Sequence, residues 1–407
     1  MNLPKDKLHR KGIKLMIKVK IILFCFIVLI FNSCNFNFGN EDMKQERIKN
    51  AENSKGDIVI GAIAPWKKVK AQGNLNWYGI ELATMQINGK GGINGRKIKI
   101  LKKDDEASVN KGIAIAQNLS VNPDVVAVIG HAYSFISIPA SVIYEFNGVV
   151  MISPAASSPK LTQRNFKFVF RVIPNDNDMG AQLAQYAAKA KLKGIMIYYI
   201  KDPYGLTLAN AFEKKAEELD IDIFDRLSFD STTKSRVFYN DFLKWKENYL
   251  FDAIFLVART PEEGGKIIKE ARKAGITVPF ISGDSLNSQK LIDTGKEAVE
   301  GTVVPSNFNP FDKREVVQEF IKNFNKKFHK FPDTWSALYY DAASVLFKAI
   351  KDANSTNPVK IEKALHKIKD YNGVTGKITF KKNGDIKNKK LFFKKVVNGT
   401  FKFLNNE

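Results

Sequence analysis

The 407-residue chain has only two cysteines, Cys25 and Cys34, and four histidines, at 9, 131, 329 and 366. Both cysteines lie near the N-terminus, so the remainder has no thiol for a disulfide or a cysteine-held metal. The histidines are too far apart in sequence to suggest a metal centre. No glycine-rich phosphate loop, no ordered nucleophile–base set and no repeat of solenoid period is present. These absences argue against an enzyme and against a bound cofactor or metal. Asp104 and Asp105 form a carboxylate pair that acid–base chemistry could use, but no nucleophile accompanies them. Acidic residues are in deficit, 42 against 64 lysines and arginines, for a net charge of +22. The basic residues are dispersed and carry no nucleic-acid motif, which argues against nucleic acid. A solvated lysine-rich surface, or attraction to anionic lipid headgroups, accounts for them.

Long apolar runs are also scarce. The prominent one, "IILFCFIVLIF" at 21–31, follows Lys18 and Lys20 and precedes Asn32-Ser33-Cys34. At 11 residues it is shorter than the roughly 20 that a membrane span takes and reads as a secretory signal. A small residue followed by cysteine resembles a bacterial lipoprotein signal, with residues 1–33 removed and lipid attached to Cys34. An ordinary signal or an uncleaved anchor is the alternative, and Met16 is a second possible start. Cleavage would take away +6 and leave +16. Residues 34–56 are polar with little periodicity and read as a lipid-anchored tether. The expected location is periplasmic or extracytoplasmic, held at the membrane.

From residue 57 short apolar strands alternate with helical patterns. "DIVIGAIAP" (57–65) reads as a buried strand, and Trp77, Ile80, Ala83 and Ile87 keep helical spacing after it. Further strands are expected at 97–105, 125–129 and 149–153. After "FVFRVIPNDNDMG" (168–180) the alternation restarts, with strands at 194–202, 221–230, 252–258 and 278–284. Residues 301–306 read as a strand, 314–328, 335–352 and 359–369 as helices, and the tail as strands around "KNGD" and "VNGT". This pattern predicts an α/β protein of two doubly wound parallel-sheet lobes joined by hinge crossovers. The expected division is 57–173 plus 306–374 for the first lobe and 174–305 plus 375–407 for the second. In such sheets ligands bind beyond the carboxyl ends of strands, where 64–66, 130–137 and 153–158 fall.

The stretches "INGKGGINGRKIKI", "VIGHAYSFISIPAS", "MISPAASSPKLT", "FVFRVIPND", "DPYG" and "EGTVV" occur in an order that resembles the periplasmic binding proteins of the branched-chain amino acid (leucine/isoleucine/valine) class. That class has the type I periplasmic binding fold and supplies substrate to ABC importers. The resemblance implies that Ser134, Ala155 and Ser157 hold a ligand carboxylate, that Asp284 holds its ammonium and that Tyr204 closes over it. Hydroxyls, backbone N–H groups and helix N-termini suit a carboxylate physically. The same serines, and Asp284 in "GDS", also read as plain helix caps. Two departures stand out. An aromatic residue often follows the strand at 252–258 in relatives, and here Arg259 stands there; it either faces the cleft and takes a second polar group, or faces solvent. The first-lobe disulfide is missing, with Ala107 and Tyr133 near its place. Trp66 is expected to lie across the ligand, Tyr133 and Phe135 either line the pocket or pack in the core, and His131 and Arg171 are expected to be structural.

The function expected from this resemblance is an extracytoplasmic solute-binding lipoprotein of an ABC importer. It would bind an amino acid or similar small zwitterionic carboxylate, deliver it to the permease subunits and act as a monomer. The alternative is a ligand-sensing regulatory lipoprotein of the same fold acting on a membrane or cell-wall partner.

Overall fold

The computed structural model describes residues 41–71 and 73–404, so the signal segment, Cys25 and Cys34 lie outside the described residues. Strands β1 (Ile58–Ala64), β2 (Ile98–Asp104), β3 (Val125–Ile129), β4 (Val150–Ser153) and β5 (Val169–Arg171) form a parallel sheet in the order β2-β1-β3-β4-β5. Every residue of β3 and β4 is buried, as expected of strands covered on both faces. A second sheet contains β6 (Gly194–Ile200), β7 (Asp222–Phe229), β8 (Ala253–Val257), β9 (Phe280–Ser282) and β10 (Val303–Ser306). β11 (Tyr371–Gly373) and β12 (Gly376–Ile378) pair as a small hairpin. β13 (Phe392–Val397) and β14 (Thr400–Phe403) complete the second sheet, in the order β14-β13-β10-β9-β8-β6-β7. β13 runs antiparallel to β10, and β14 antiparallel to β13, so this parallel sheet carries an antiparallel edge.

Helices start where sequence-local caps satisfy their free N–H groups. Asp202, Thr260 and Asn357 each accept a cap hydrogen bond, and each is followed by a proline at the first helical position. Asp333 and Ser336 form a reciprocal capping box at the start of the long helix Thr334–Ala353. That helix buries Leu338, Ala342, Val345, Leu346 and Ala349 against the first sheet. Each large aliphatic side chain so buried contributes about 1.5–3 kcal/mol. The helices Asp176–Lys189 and Pro203–Glu217 pack instead on the second sheet, through Met179, Leu183, Leu208 and Phe212.

The chain crosses between lobes near 172–175, 306–309 and 387–391. The last crossing corrects the expected division at 374/375: Ile378, Phe380 and Ile386 pack in the first core, and Leu391 is the first residue to join the second. Buried polar pairs fasten this segment to the first lobe. Arg171 Nε lies 2.8 Å from Asp385 Oδ1, so Arg171 is structural and sits at the crossover. Lys389 Nζ donates to Val172 O at 3.0 Å.

A second correction concerns the tether. Residues Glu41–Asn53 form a helix whose Arg47 is 1% exposed. Its guanidinium donates to the carbonyls of Val125 (2.9 Å), Asn147 (2.6 Å), Ser120 (3.0 Å) and Asn122 (2.9 Å). Ser120 ends one helix and Asn147 caps another, so the cation meets two negative helix ends. The segment has no apolar period because one arginine, rather than an apolar stripe, docks it. No helix among the described residues is long and apolar enough to cross a membrane.

Candidate functional site

The carboxyl ends of the strands of both sheets face one cleft. Its lining includes Pro65, Ser134, Ala155 and Ser157 from the first lobe, and Tyr204, Arg259 and Asp284 from the second. It encloses roughly 960 Å³ of atom-free space, part of it open to solvent. The lobes touch across it: Thr207 Oγ1 lies 3.4 Å from Ser158 Oγ, and the Arg259 guanidinium lies 4.9 Å from the Phe135 ring centre.

The part of the first-lobe wall built by the loops after β3 and β4 is neutral. After β3 the chain turns at Gly130, where φ is +144° and a Cβ would stand 2.2 Å from Ile63 O, so only glycine fits. The turn delivers Ser134 to the start of the helix Ser134–Phe146, whose first two residues line the cleft. Ser134 Oγ accepts from Ser158 N at 3.1 Å, which leaves its O–H free to donate. Ser153 Oγ accepts from Ala156 N at 2.9 Å and sets the 154–158 turn that carries Ala155 and Ser157. Behind the turn, His131 Nδ1 pairs with Asp105 at 2.9 Å and its Nε2 lies 3.2 Å from the Tyr144 hydroxyl, with all three side chains buried. This bond ties the loops after β2 and β3, the same loops in which the expected disulfide is missing. His131 is therefore structural, and Asp105 is committed to it.

The second-lobe wall is charged, with Asp202, Arg259 and Asp284 in the lining, and Asp284 is the acid there without an ion pair among the described residues. Asp284 starts a 3₁₀ turn after β9, is 3% exposed, and its Oδ1 accepts from the Tyr204 hydroxyl at 2.9 Å. Burial pushes its carboxyl up to about 6, with the Tyr204 hydrogen bond opposing. The close approach of Tyr204 depends on Gly283, where a Cβ would stand 2.3 Å from the phenol oxygen. Asp176, at the first crossing, is fully buried, and its Oδ1 has no hydrogen-bond partner. Burial pushes it up to about 7; the hydroxyls of Thr207 and Ser157 oppose this and the nearby Asp284 charge adds to it. Neither carboxylate forms an ion pair with a lysine or arginine among the described residues. Asp284, which lines the cleft, is thus a desolvated acid open to a ligand cation, whereas Asp176 lies outside the lining and feels the Arg171 guanidinium.

The matching family profile, described as periplasmic binding protein, covers residues 58–400. The chain belongs to the periplasmic binding protein family, in its branched-chain amino acid class. It is 30% identical over 336 residues to the Leu/Ile/Val-binding protein of Escherichia coli, covering 81% of this chain and 88% of that one. The Leu/Ile/Val-binding protein homolog 2 of Brucella abortus is also 30% identical, over 332 residues, 81% of this chain and 87% of that relative. Among solved structures, an ABC transporter substrate-binding protein of Desulfitobacterium hafniense in complex with Leu is 37% identical, with a TM-score of 0.76 over 86% of this chain and 100% of that one. A leucine binding protein of Thermotoga maritima matches with a TM-score of 0.79 and 29% identity, over 86% of this chain and 98% of that one.

In this periplasmic binding protein the cleft thus gathers Ser134, Ala155, Ser157, Tyr204, Asp284 and Arg259, but not Trp66. Trp66 is 4% exposed, donates its Nε1–H to Ala62 O at 3.1 Å and packs on Trp77 and Tyr339. The loop that holds it folds into a short helix, Trp66–Ala71, which turns the indole inward. The exposed face of that part of the cleft belongs to Trp335 instead, with Tyr133 and Phe135 stacked opposite. Sequence reasoning missed Trp335, Asp176 and Asp202. A signal for Asp176 was present: it follows "FRVIPN", at the expected crossover, where a carboxylate has no local reason to be buried.

Proposed function

We propose that this protein is an extracytoplasmic solute receptor that closes its two lobes on an amino acid and presents it to an ABC importer. In this reading the ligand carboxylate lies against Ser134, the amides near Ala155 and Ser157, and the N-terminus of the helix Ser134–Phe146. The ligand ammonium lies against Asp284, which Tyr204 orients. No bond is made or broken; charge-assisted hydrogen bonds in the dry cleft, each worth about 1.5–3 kcal/mol net, supply affinity. One observation carries the reading: the hydroxyls and amides of the loops after β3 and β4 share the cleft with the buried carboxylate of Asp284, which has no ion-pair partner among the described residues. The names of the Leu- and Leu/Ile/Val-binding relatives support an amino acid as the ligand class. Lipid attachment at Cys34, a monomeric state and delivery to the permease subunits belong to the same proposal.

The test is a thermal-shift screen of the domain from residue 41 onward against the twenty amino acids. A ligand that binds the native state at 100 times its Kd adds about 2.7 kcal/mol of stability. Amino acids that raise the melting temperature, while their N-acetyl and methyl-ester forms do not, support the reading. No shift with any of them removes it.

A further inference from the structure

We infer that Arg259 sets specificity, and that the preferred ligand is an amino acid whose side chain ends in an oxygen acceptor, a carboxylate or carboxamide. This rests on the amino acid reading above and narrows it. Arg259 follows β8, as Asp284 follows β9, and these neighbouring parallel strands pair with Leu256 opposite Ser282. Adjacent strands lie about 4.8 Å apart. Arg259 therefore rises one strand over from the ammonium-binding carboxylate, within the span of one amino acid. Its backbone N–H donates to Glu263 at 2.8 Å, and its Nε donates to Asp202 Oδ2 at 3.0 Å. Asp202 is itself fixed, because its other oxygen caps the helix Pro203–Glu217 through Gly205 N at 2.9 Å. The guanidinium stacks over Phe135 from the opposite lobe. Held on one edge and one face, it has two terminal nitrogens with no hydrogen-bond partner among the described residues, and the residue lines the cleft. A pre-oriented planar fork of this kind is matched by a carboxylate or amide oxygen and left unpaired by an aliphatic side chain.

The experiment measures calorimetric affinities of the domain for leucine, asparagine and aspartate, which are nearly equal in size, and for glutamine, glutamate and methionine. The expected result is at least tenfold tighter binding of an acceptor-bearing ligand than of its apolar isostere. Arg259→Ala should abolish that preference, and Arg259→Lys should retain part of it. The carboxylate and carboxamide arms decide which acceptor fits. Leucine binding as tightly as asparagine and aspartate overturns the inference but leaves the amino acid reading standing. An equal loss for every ligand in Arg259→Ala also overturns it, because Arg259 would then only latch the lobes through Phe135. No binding by any amino acid removes the underlying reading and the inference with it.

Discussion

The two walls of the cleft are built on the same plan, loops after parallel strands, yet they carry opposite chemistry. In the first lobe a serine, a turn of small residues and a helix start present O–H and N–H groups, and the ionisable Asp105 behind them is held by His131. In the second lobe and at the first crossing, Asp284 and Asp176 stand desolvated against hydroxyls. The first wall should bind its part of the ligand with little dependence on pH. The second stores an electrostatic cost in the empty protein that a ligand cation relieves. The comparison teaches that affinity and its pH dependence come from different lobes.

The strongest attempt to break this contrast is Asp284→Asn. Losing one member of a desolvated charge pair costs about 2–5 kcal/mol, so amino acid affinity should fall on the order of 100-fold in calorimetry. The variant should still fold, because the substitution relieves an uncompensated buried charge. Unchanged affinity would take Asp284 out of the site. Ser134→Ala tests the other wall: it should weaken binding about tenfold, with the same pH profile as the wild type. A smaller, sharper test is pH itself. Ammonium binding needs the ionised Asp284 carboxylate, so affinity should fall about tenfold as pH drops from 8 to 5, through its elevated value near 6. The sign for stability is the reverse. A carboxyl raised in the folded state destabilises the empty protein above its folded value, and that cost disappears as pH falls toward the unfolded value near 4. The melting temperature of empty Asp284→Asn should therefore exceed the wild type's at pH 8, and the gap should shrink to about half at pH 5 and close near pH 4. The smallest effect on affinity belongs to Trp66→Phe, which should lower stability by about 1–2 kcal/mol and leave Kd within about twofold. A larger change in Kd would return Trp66 to the ligand.

How much of this was legible before folding depends on the range of the interaction. The strands and helices followed from apolar periodicity and local caps, and observed limits such as Glu315–Phe328 and Ala253–Val257 lie within a residue or two of the expected ones. The loops that carry Ser134, Ala155 and Ser157 were legible because a parallel sheet sends every post-strand loop to one end, whereas the individual residues, and Tyr204 and Asp284, came from the resemblance. Other features were not legible. Trp66 and Trp335 are both tryptophans at helix starts, and only packing against Trp77 and Tyr339 turns the first inward. The docked helix Glu41–Asn53 is held by Arg47 reaching carbonyls 73 to 100 residues away. The late crossing near 387–391 depends on Arg171 meeting Asp385.

By itself, the sequence determined the alternation of strand and helix, and with it two sheets whose loops converge on a cleft, because apolar spacing and capping act over a few residues. Only the tertiary structure decided that Asp284 stands in the cleft without an ion-pair partner among the described residues, which tryptophan lines the cleft, and that Arg259 leans on Asp202 and Phe135 while its two terminal nitrogens find no hydrogen-bond partner among those residues. Those properties are set by desolvation and by partners distant in the chain, and no local pattern of residues encodes either.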